Sequence, residues 1–235
     1  MTRIAMGCIV RNRAWILPEY LAALDKVDFA DKEYIFLEND SNDDTLVLID
    51  AFMRQQMARN KQVWLGLDYR LDPPGYRRHE YGVNGYARMA RLRNLLLGMF
   101  LYTSADYLFS VDSDIIVPPD VVRKLLPLAG DHGIAAAAIA NVPGQKPDGR
   151  TPGNFMIQSA AGLMHPPEYP LSGMLDVAVT GAVYLIPRWV VETGARYGPH
   201  PQGEDVPFCL TASQKGCRLM VTFDVCCEHR MIEGQ

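Results

Sequence analysis

Most of the signals that assign a function at sight are missing from this chain. It has five cysteines, Cys8, Cys209, Cys217, Cys226 and Cys227, an odd number with no CxxC pair. That pattern argues against a zinc site or a disulfide framework and favours buried, reduced thiols, as expected of a reducing, cytoplasmic compartment. No stretch approaches the roughly 18 to 20 consecutive apolar residues of a membrane helix. The longest candidate, residues 95–102, is far too short, and the N-terminus runs straight into a strand-like segment without a signal-peptide core. No membrane span is expected. Positive charge is not in excess either: 23 Lys and Arg face 27 Asp and Glu, for a formal net charge of -4. A general nucleic-acid binder needs the opposite balance, so no nucleic-acid partner is expected, and any anionic ligand must be held by a local basic cluster. Neither GxGxxG nor GxxxxGK[ST] occurs, which disfavours a dinucleotide-dependent dehydrogenase or a P-loop enzyme. The segment Ile9-Val10-Arg11-Asn12-Arg13-Ala14 has no glycine, which disfavours a sugar nucleotidyltransferase.

What is present is a chain of 235 residues, 49% apolar, enough for one α/β domain with a full core. Apolar runs at 3–10, 33–37, 63–69 and 107–111 read as strands. Helical spacing covers 15–27, 43–57 and 86–103. This alternation predicts an α/β fold with a Rossmann-like, mainly parallel central sheet flanked by helices, whose ligands bind at the carboxyl ends of the strands. In the second half, 134–140, 176–186 and 218–225 read as strands. Residues 204–215 read as a helix closed by Gly216. Residues 141–154, rich in Pro and Gly, read as a loop suited to a hinged lid. The expected organisation is a single domain over 1–235, with a nucleotide-binding half (1–117) and an acceptor-binding half (118–235).

Carboxylates gather at predicted strand ends. Tyr107-Leu108-Phe109-Ser110-Val111 delivers Asp112-Ser113-Asp114, two carboxylates one residue apart. Mg²⁺ and Mn²⁺ take oxygen ligands of this kind together with phosphate oxygens, and neutralise charge on a leaving diphosphate. Glu38-Asn39-Asp40-Ser41 closes the second strand, where carboxylates can accept from ribose hydroxyls or a base N–H; Asp43 reads as a helix cap. Arg77-Arg78-His79, with Arg88, Arg91 and Arg93 on the long helix, form a basic cluster suited to diphosphate. Arg88 and Arg91 share a helix face. Arg11 and Arg13 follow the first strand directly. Gly203-Glu204-Asp205 opens a helix and offers a carboxylate that can take a proton from an acceptor hydroxyl, kept ionised by the helix dipole. His229, after the last strand, is a candidate third metal ligand.

Taken in order, Arg11-Asn12-Arg13, Glu38-Asn39-Asp40-Ser41, Arg88-x-x-Arg91-x-Arg93-Asn94, Asp112-Ser113-Asp114, Thr180-Gly181-Ala182, Gly203-Glu204-Asp205 and His229 resemble the GT-A glycosyltransferases. The likeness is greatest to family 2, with some to the fungal mannan-building mannosyltransferases. The resemblance implies a metal-dependent transfer from a nucleotide-diphosphate sugar, a UDP-sugar in preference to a GDP-sugar, to a carbohydrate, glycolipid or protein acceptor. It implies that Arg11, Glu38, Asp40, Arg93, Asp112 and Ser113 contact the nucleotide. Asp112, Asp114 and His229 would hold Mn²⁺ or Mg²⁺, with Asp114 the direct ligand. Thr180, Gly181, Ala182 and Glu204 would line the sugar and acceptor site, and Asp205 would be the catalytic base of an inverting reaction. Family 2 often carries paired Asp where this chain has Glu38-Asn39-Asp40. A retaining transferase of the same fold, a sugar nucleotidyltransferase and a non-catalytic sugar-nucleotide-binding module remain the alternatives.

Overall fold

The computed structural model describes residues 2–68, 83–130, 133–140 and 153–230. Arg77, Arg78, His79 and most of the expected lid, residues 141–152, lie outside the described residues. The first half is the expected alternation. It runs β1 (Ile4–Val10), α1 (Leu17–Lys26), β2 (Lys32–Glu38), α2 (Thr45–Ala58), β3 (Val63–Leu67), α3 (Val83–Tyr102) and β4 (Tyr107–Val111). Then follow β5 (Ile115–Ile116), α4 (Val121–Ala129), β6 (Gly133–Ala140), β7 (Phe155–Ser159), β8 (Gly162–Met164) and β9 (Met174–Asp176). The chain continues with β10 (Val179–Thr180), β11 (Val183–Pro187), α5 (Arg188–Glu192), α6 (Asp205–Gln214) and β12 (Arg218–His229).

Among the described residues the main sheet has the order β3-β2-β1-β4-β11-β6-β12-β5, with β9 added on β12. Strands β1 to β4 run parallel to one another, as do β6 and β12, while β11 lies antiparallel between β4 and β6. The side-chain period of two explains the two cores. Ala136 and Ala138 of β6 face a layer with Phe100 of α3, Val190 of α5 and Phe208 of α6. Ala135 and Ala137 face Tyr20 of α1, Phe52 of α2 and Leu125 of α4. Phe100 and Phe109 are fully buried, each removal from water stabilising the fold by about 2–3 kcal/mol. No helix among the described residues is long and apolar enough to cross a membrane. Cys8, Cys209, Cys217 and Cys227 are buried as free thiols and Cys226 is half-buried, in keeping with opposite faces for the adjacent pair.

Two segments depart from the expected strands, and both departures build the site. Residues 176–186 are not one strand but β9, β10 and β11. The break between β10 and β11 falls at Gly181-Ala182, where Ala182 takes φ 66°, a left-handed conformation that strand backbone cannot have. The carbonyl of Ala182 accepts from the N–H of Asp112 at 2.8 Å, so the kink is docked on the end of β4. The last strand runs beyond residue 225 to His229, because a bulge between Thr222 and Cys226 shifts the register without ending the pairing. Past the bulge, Glu228 and His229 pair with Ile116 and Ile115 of β5, which brings His229 beside Asp114.

Candidate active site

The carboxyl ends of β1, β2, β3 and β4 form one edge, and the turns there are tied by polar side chains. Asn12 and Asp40 take φ of 50° and 55°, positions Asn and Asp tolerate better than most. Ser41 Oγ accepts from the N–H of Asn12 at 3.0 Å, and Asn12 Oδ1 from the N–H of Asn42 at 2.8 Å. Thr45 Oγ1 accepts from the N–H of Arg13 at 2.8 Å. Asp43 accepts from the N–H groups of Thr45 and Ala14; it stands one residue before the cap position of α2, which Asp44 occupies without a side-chain cap bond. Glu38 is 1% exposed and its Oε1 accepts from the N–H of Ser41 at 2.6 Å, so it shapes the turn from behind. Arg11 and Asp40 are half-buried on the same edge.

The basic residues of α3 separate by face. Arg91 forms two hydrogen bonds to Asp68, at 3.1 and 2.5 Å, just past β3. With its amide oriented to suit both neighbours, Asn39 donates to Asp68 at 3.2 Å and accepts from Arg88 at 2.9 Å. Asp68 and Asn39, both buried, thus anchor Arg88 and Arg91 at the carboxyl ends of β2 and β3. Arg93, 200° further round the helix from Arg91 at 100° per residue, points the other way. Its Nε donates to Glu204 Oε1 at 2.8 Å and its Nη2 to Asp112 Oδ1 at 3.1 Å, while Nε stands 3.8 Å from Asp205 Oδ1. One buried guanidinium therefore joins the motif at the end of β4 to the acidic pair at the start of α6, whose Glu204 lies 111 residues beyond Arg93 in the chain.

Electrostatics follow from that enclosure. Burial works against the Arg93 charge, but Asp112, Asp205 and Glu204 outweigh it and hold the guanidinium protonated. Burial raises the Asp112 carboxyl above its ordinary range, with Arg93 opposing. Asp205 is pushed up to about 7, by burial first, with Arg93 pulling down and Glu204 and Asp112 pushing up. Its place at the first position of α6 was expected to keep it ionised, yet desolvation and two neighbouring carboxylates outweigh the helix dipole.

Asp112, Glu204, Asp205, Thr180, Gly181 and Ala182 share a pocket of about 310 Å³ with Arg93. The lining also includes Asn154, Phe155, His165 and Gln202, none of which the sequence reading singled out. Asn154 Nδ2 donates to the carbonyls of Gly181 at 2.8 Å and Ala137 at 3.2 Å, which locks the floor of the pocket onto β6. Ser113 is buried behind its two flanking aspartates.

Asp114 and His229 are not among the residues that line the pocket; Asp114 Oδ2 accepts from Arg13 Nη2 at 3.0 Å and its Oδ1 lies 3.6 Å from His229 Nε2. Among the described residues no three His, Cys, Asp or Glu side chains are gathered into a ready-made metal cage. The donor set nonetheless fits Mn²⁺ or Mg²⁺, since such ions bind one or two carboxylates and complete their shell with ligand and water oxygens. Two Asp carboxylates and an imidazole already within 3.6 Å of one of them suit that partial coordination.

The architecture has close parallels. The mannosyltransferase PcManGT from Pyrobaculum calidifontis, in complex with GDP-Man and Mn²⁺, matches with a TM-score of 0.65 at 13% identity, covering 99% of this chain and 58% of that one. TarS 1-349 from S. aureus, in complex with UDP-GlcNAc, matches with a TM-score of 0.62 at 15% identity, over 99% and 60%. GalNAc-T7 with UDP, GalNAc and Mn²⁺ matches with a TM-score of 0.65 at 15% identity, over 97% and 44%. The fold is that of the GT-A glycosyltransferases. The chain spans between two fifths and two thirds of the length of these structures. No family model and no curated protein matches the sequence.

Proposed function

We propose that this chain is a glycosyltransferase that moves a sugar from a nucleotide-diphosphate donor to an acceptor hydroxyl, with inversion at the anomeric carbon. The observation that carries the reading is Asp205. It is a buried carboxyl at about 7, on the wall of a pocket that it shares with Asp112 of the strand-end acidic motif. A group with that proton affinity is matched to general-base work near neutral pH.

In this reading residues 1–117 bind the nucleotide and residues 118–235 shape the acceptor side. Arg11, Asp40, Asp112 and Ser113 contact the nucleotide, with Glu38 setting the turn beneath it. Asp112, Asp114 and His229 hold Mn²⁺ or Mg²⁺, which when bound supplies positive charge to the leaving diphosphate. Thr180, Gly181, Ala182 and Glu204 receive the sugar and acceptor. Asp205 accepts the proton of the acceptor hydroxyl as its oxygen attacks, and Arg93 holds Glu204 and Asp112 in one frame while this happens. The nucleotides named for the neighbours, UDP with TarS and GalNAc-T7 and GDP with PcManGT, support a nucleoside diphosphate, with uridine favoured. A carbohydrate, glycolipid or protein hydroxyl is the acceptor.

The test is release of nucleoside diphosphate from a panel of UDP- and GDP-sugars with Mn²⁺, with and without added acceptors. Metal-dependent release by the native chain, strongly lowered but still measurable in Asp205→Asn, is expected. No release from any donor, with the protein folded and donor bound, would leave a binding module as the reading.

A further inference from the structure

Asp205 is held from one side only. Its Oδ1 accepts from the hydroxyl of Tyr184, on β11, at 3.3 Å, and the same oxygen is the one nearest Arg93. Its Oδ2 lies over Gly181: a Cβ added to that glycine would stand 2.3 Å from it, closer than real atoms approach. A side chain at this position would have to displace the carboxylate, and the glycine leaves one carboxylate oxygen against the pocket floor while the other is tied down.

The tie has a second layer. The Tyr184 hydroxyl is in a short hydrogen bond with that of Tyr197. One arrangement satisfies both contacts: Tyr197 donates to Tyr184, and Tyr184 donates to Asp205. Tyr197 has little freedom to do otherwise. Its ring stacks on Phe208 of α6 with centroids 4.3 Å apart and planes 7° from parallel, and the Arg93 guanidinium lies 5.7 Å from its centroid. Its backbone N–H donates to Asn94 Oδ1 and its carbonyl accepts from Asn94 Nδ2, both at 3.0 Å. Burial pushes both phenols well above their ordinary range, so they stay protonated as donors.

We propose that Tyr184, backed by Tyr197, is a positioning residue that fixes Oδ1 of Asp205 and so presents Oδ2 across Gly181 to the acceptor hydroxyl. The inference rests on the reading of Asp205 as the base. A pair of core tyrosines that merely satisfy each other would affect stability and nothing else.

The charged and titratable groups facing Asp205 are Arg93 from α3, Glu204 beside it, Asp112 from the end of β4, the two tyrosines, and Cys209 one turn along α6. The experiment uses the full chain as Tyr184→Phe, Tyr197→Phe, Asp205→Asn and the double variant Tyr184→Phe/Asp205→Asn. Tyr184→Phe is expected to lower kcat roughly 10- to 100-fold, the worth of a hydrogen bond to a charged group, with donor affinity unchanged. Tyr197→Phe moves kcat the same way by less. The double variant is no slower than Asp205→Asn alone, because Tyr184 acts through Asp205. Multiplying effects in the double variant overturn the proposal. A second readout needs no turnover: the side-chain carboxyl ¹³C resonance of Asp205 in the ligand-free protein. Loss of a hydrogen bond to the ionised form moves its titration to higher pH in Tyr184→Phe, and an unmoved titration overturns the positioning role. If the native chain transfers no sugar at all, the function falls and the resonance alone decides the contact.

Discussion

Replacing Asp205 by Asn should make the ligand-free protein more stable at neutral and alkaline pH, by an amount that the site's geometry sets. A carboxyl with an ordinary value near 3.8 stands at about 7 in the fold, because it is buried beside Glu204 and Asp112, which Arg93 and the Tyr184 hydroxyl only partly offset. Each tenfold rise in proton affinity corresponds to about 1.4 kcal/mol, which puts the ceiling for this group near 4 kcal/mol. Glu204 and Asp112 share the same neighbourhood and relax with it, so about 2 kcal/mol is the expected effect. The sign follows from proton counting. Between about pH 4 and 7 the folded state binds the proton that the unfolded state has released, so stability falls as pH rises through that window and the loss is complete above about 7. Asn keeps the shape and cannot ionise. Urea unfolding of both proteins between about pH 4.5 and 8.5, with metal removed, gives the comparison. The stability of Asp205→Asn relative to the native chain should climb by about 2 kcal/mol across the window. A difference that is flat with pH, or a variant less stable than the native chain at pH 8, would refute the electrostatic account of the site.

Three further outcomes are expected. Arg93→Met should destabilise the fold by about 3–5 kcal/mol in chemical denaturation, because it leaves Glu204 buried with its partner gone. Asp114→Ala should abolish metal-dependent donor binding in calorimetric titration. It should cost only about 1 kcal/mol of stability, since its pairing with Arg13 is partly exposed. The pH profile of kcat/KM should fall on the acid side of about 7, where Asp205 takes up its proton and can no longer accept one.

The fold was legible where local pattern and tertiary structure agree. Strand β4 was read to the residue, because an apolar pentapeptide closed by carboxylates has one reasonable place in an α/β sheet. Asp112 was singled out on that logic and Glu204 and Asp205 as an acidic pair opening a helix, and the structure gathers all three around one pocket. Asp68 could have been found likewise. It closes β3 as Asp112 closes β4, but the strand was read through residue 69, which hid the carboxylate inside it. Helix α4 carries an amphipathic pattern, with Val121, Val122, Leu125 and Ala129 buried, obscured by its nine-residue length and by Pro127. Other features have no local signature. Nothing near Arg93 says that it turns from the face of Arg91 toward Glu204, since that partner arrives through tertiary packing. The kink at Ala182 occurs in an apolar run that reads as strand, and only its docking on Asp112 sustains the left-handed backbone. Tyr184 lies within the run 176–186 that reads as strand and Tyr197 in a segment that reads as loop, and their hydroxyls acquire meaning only beside Asp205.

The most direct test of the central claim is calorimetric titration of UDP, GDP and their sugars into the native chain, with Mn²⁺ and then with the metal chelated. The account predicts saturable binding of one nucleoside diphosphate that requires the metal and disappears in Asp114→Ala. Absence of binding by every nucleotide in the presence of Mn²⁺, or binding that is indifferent to both the metal and Asp114, would contradict it.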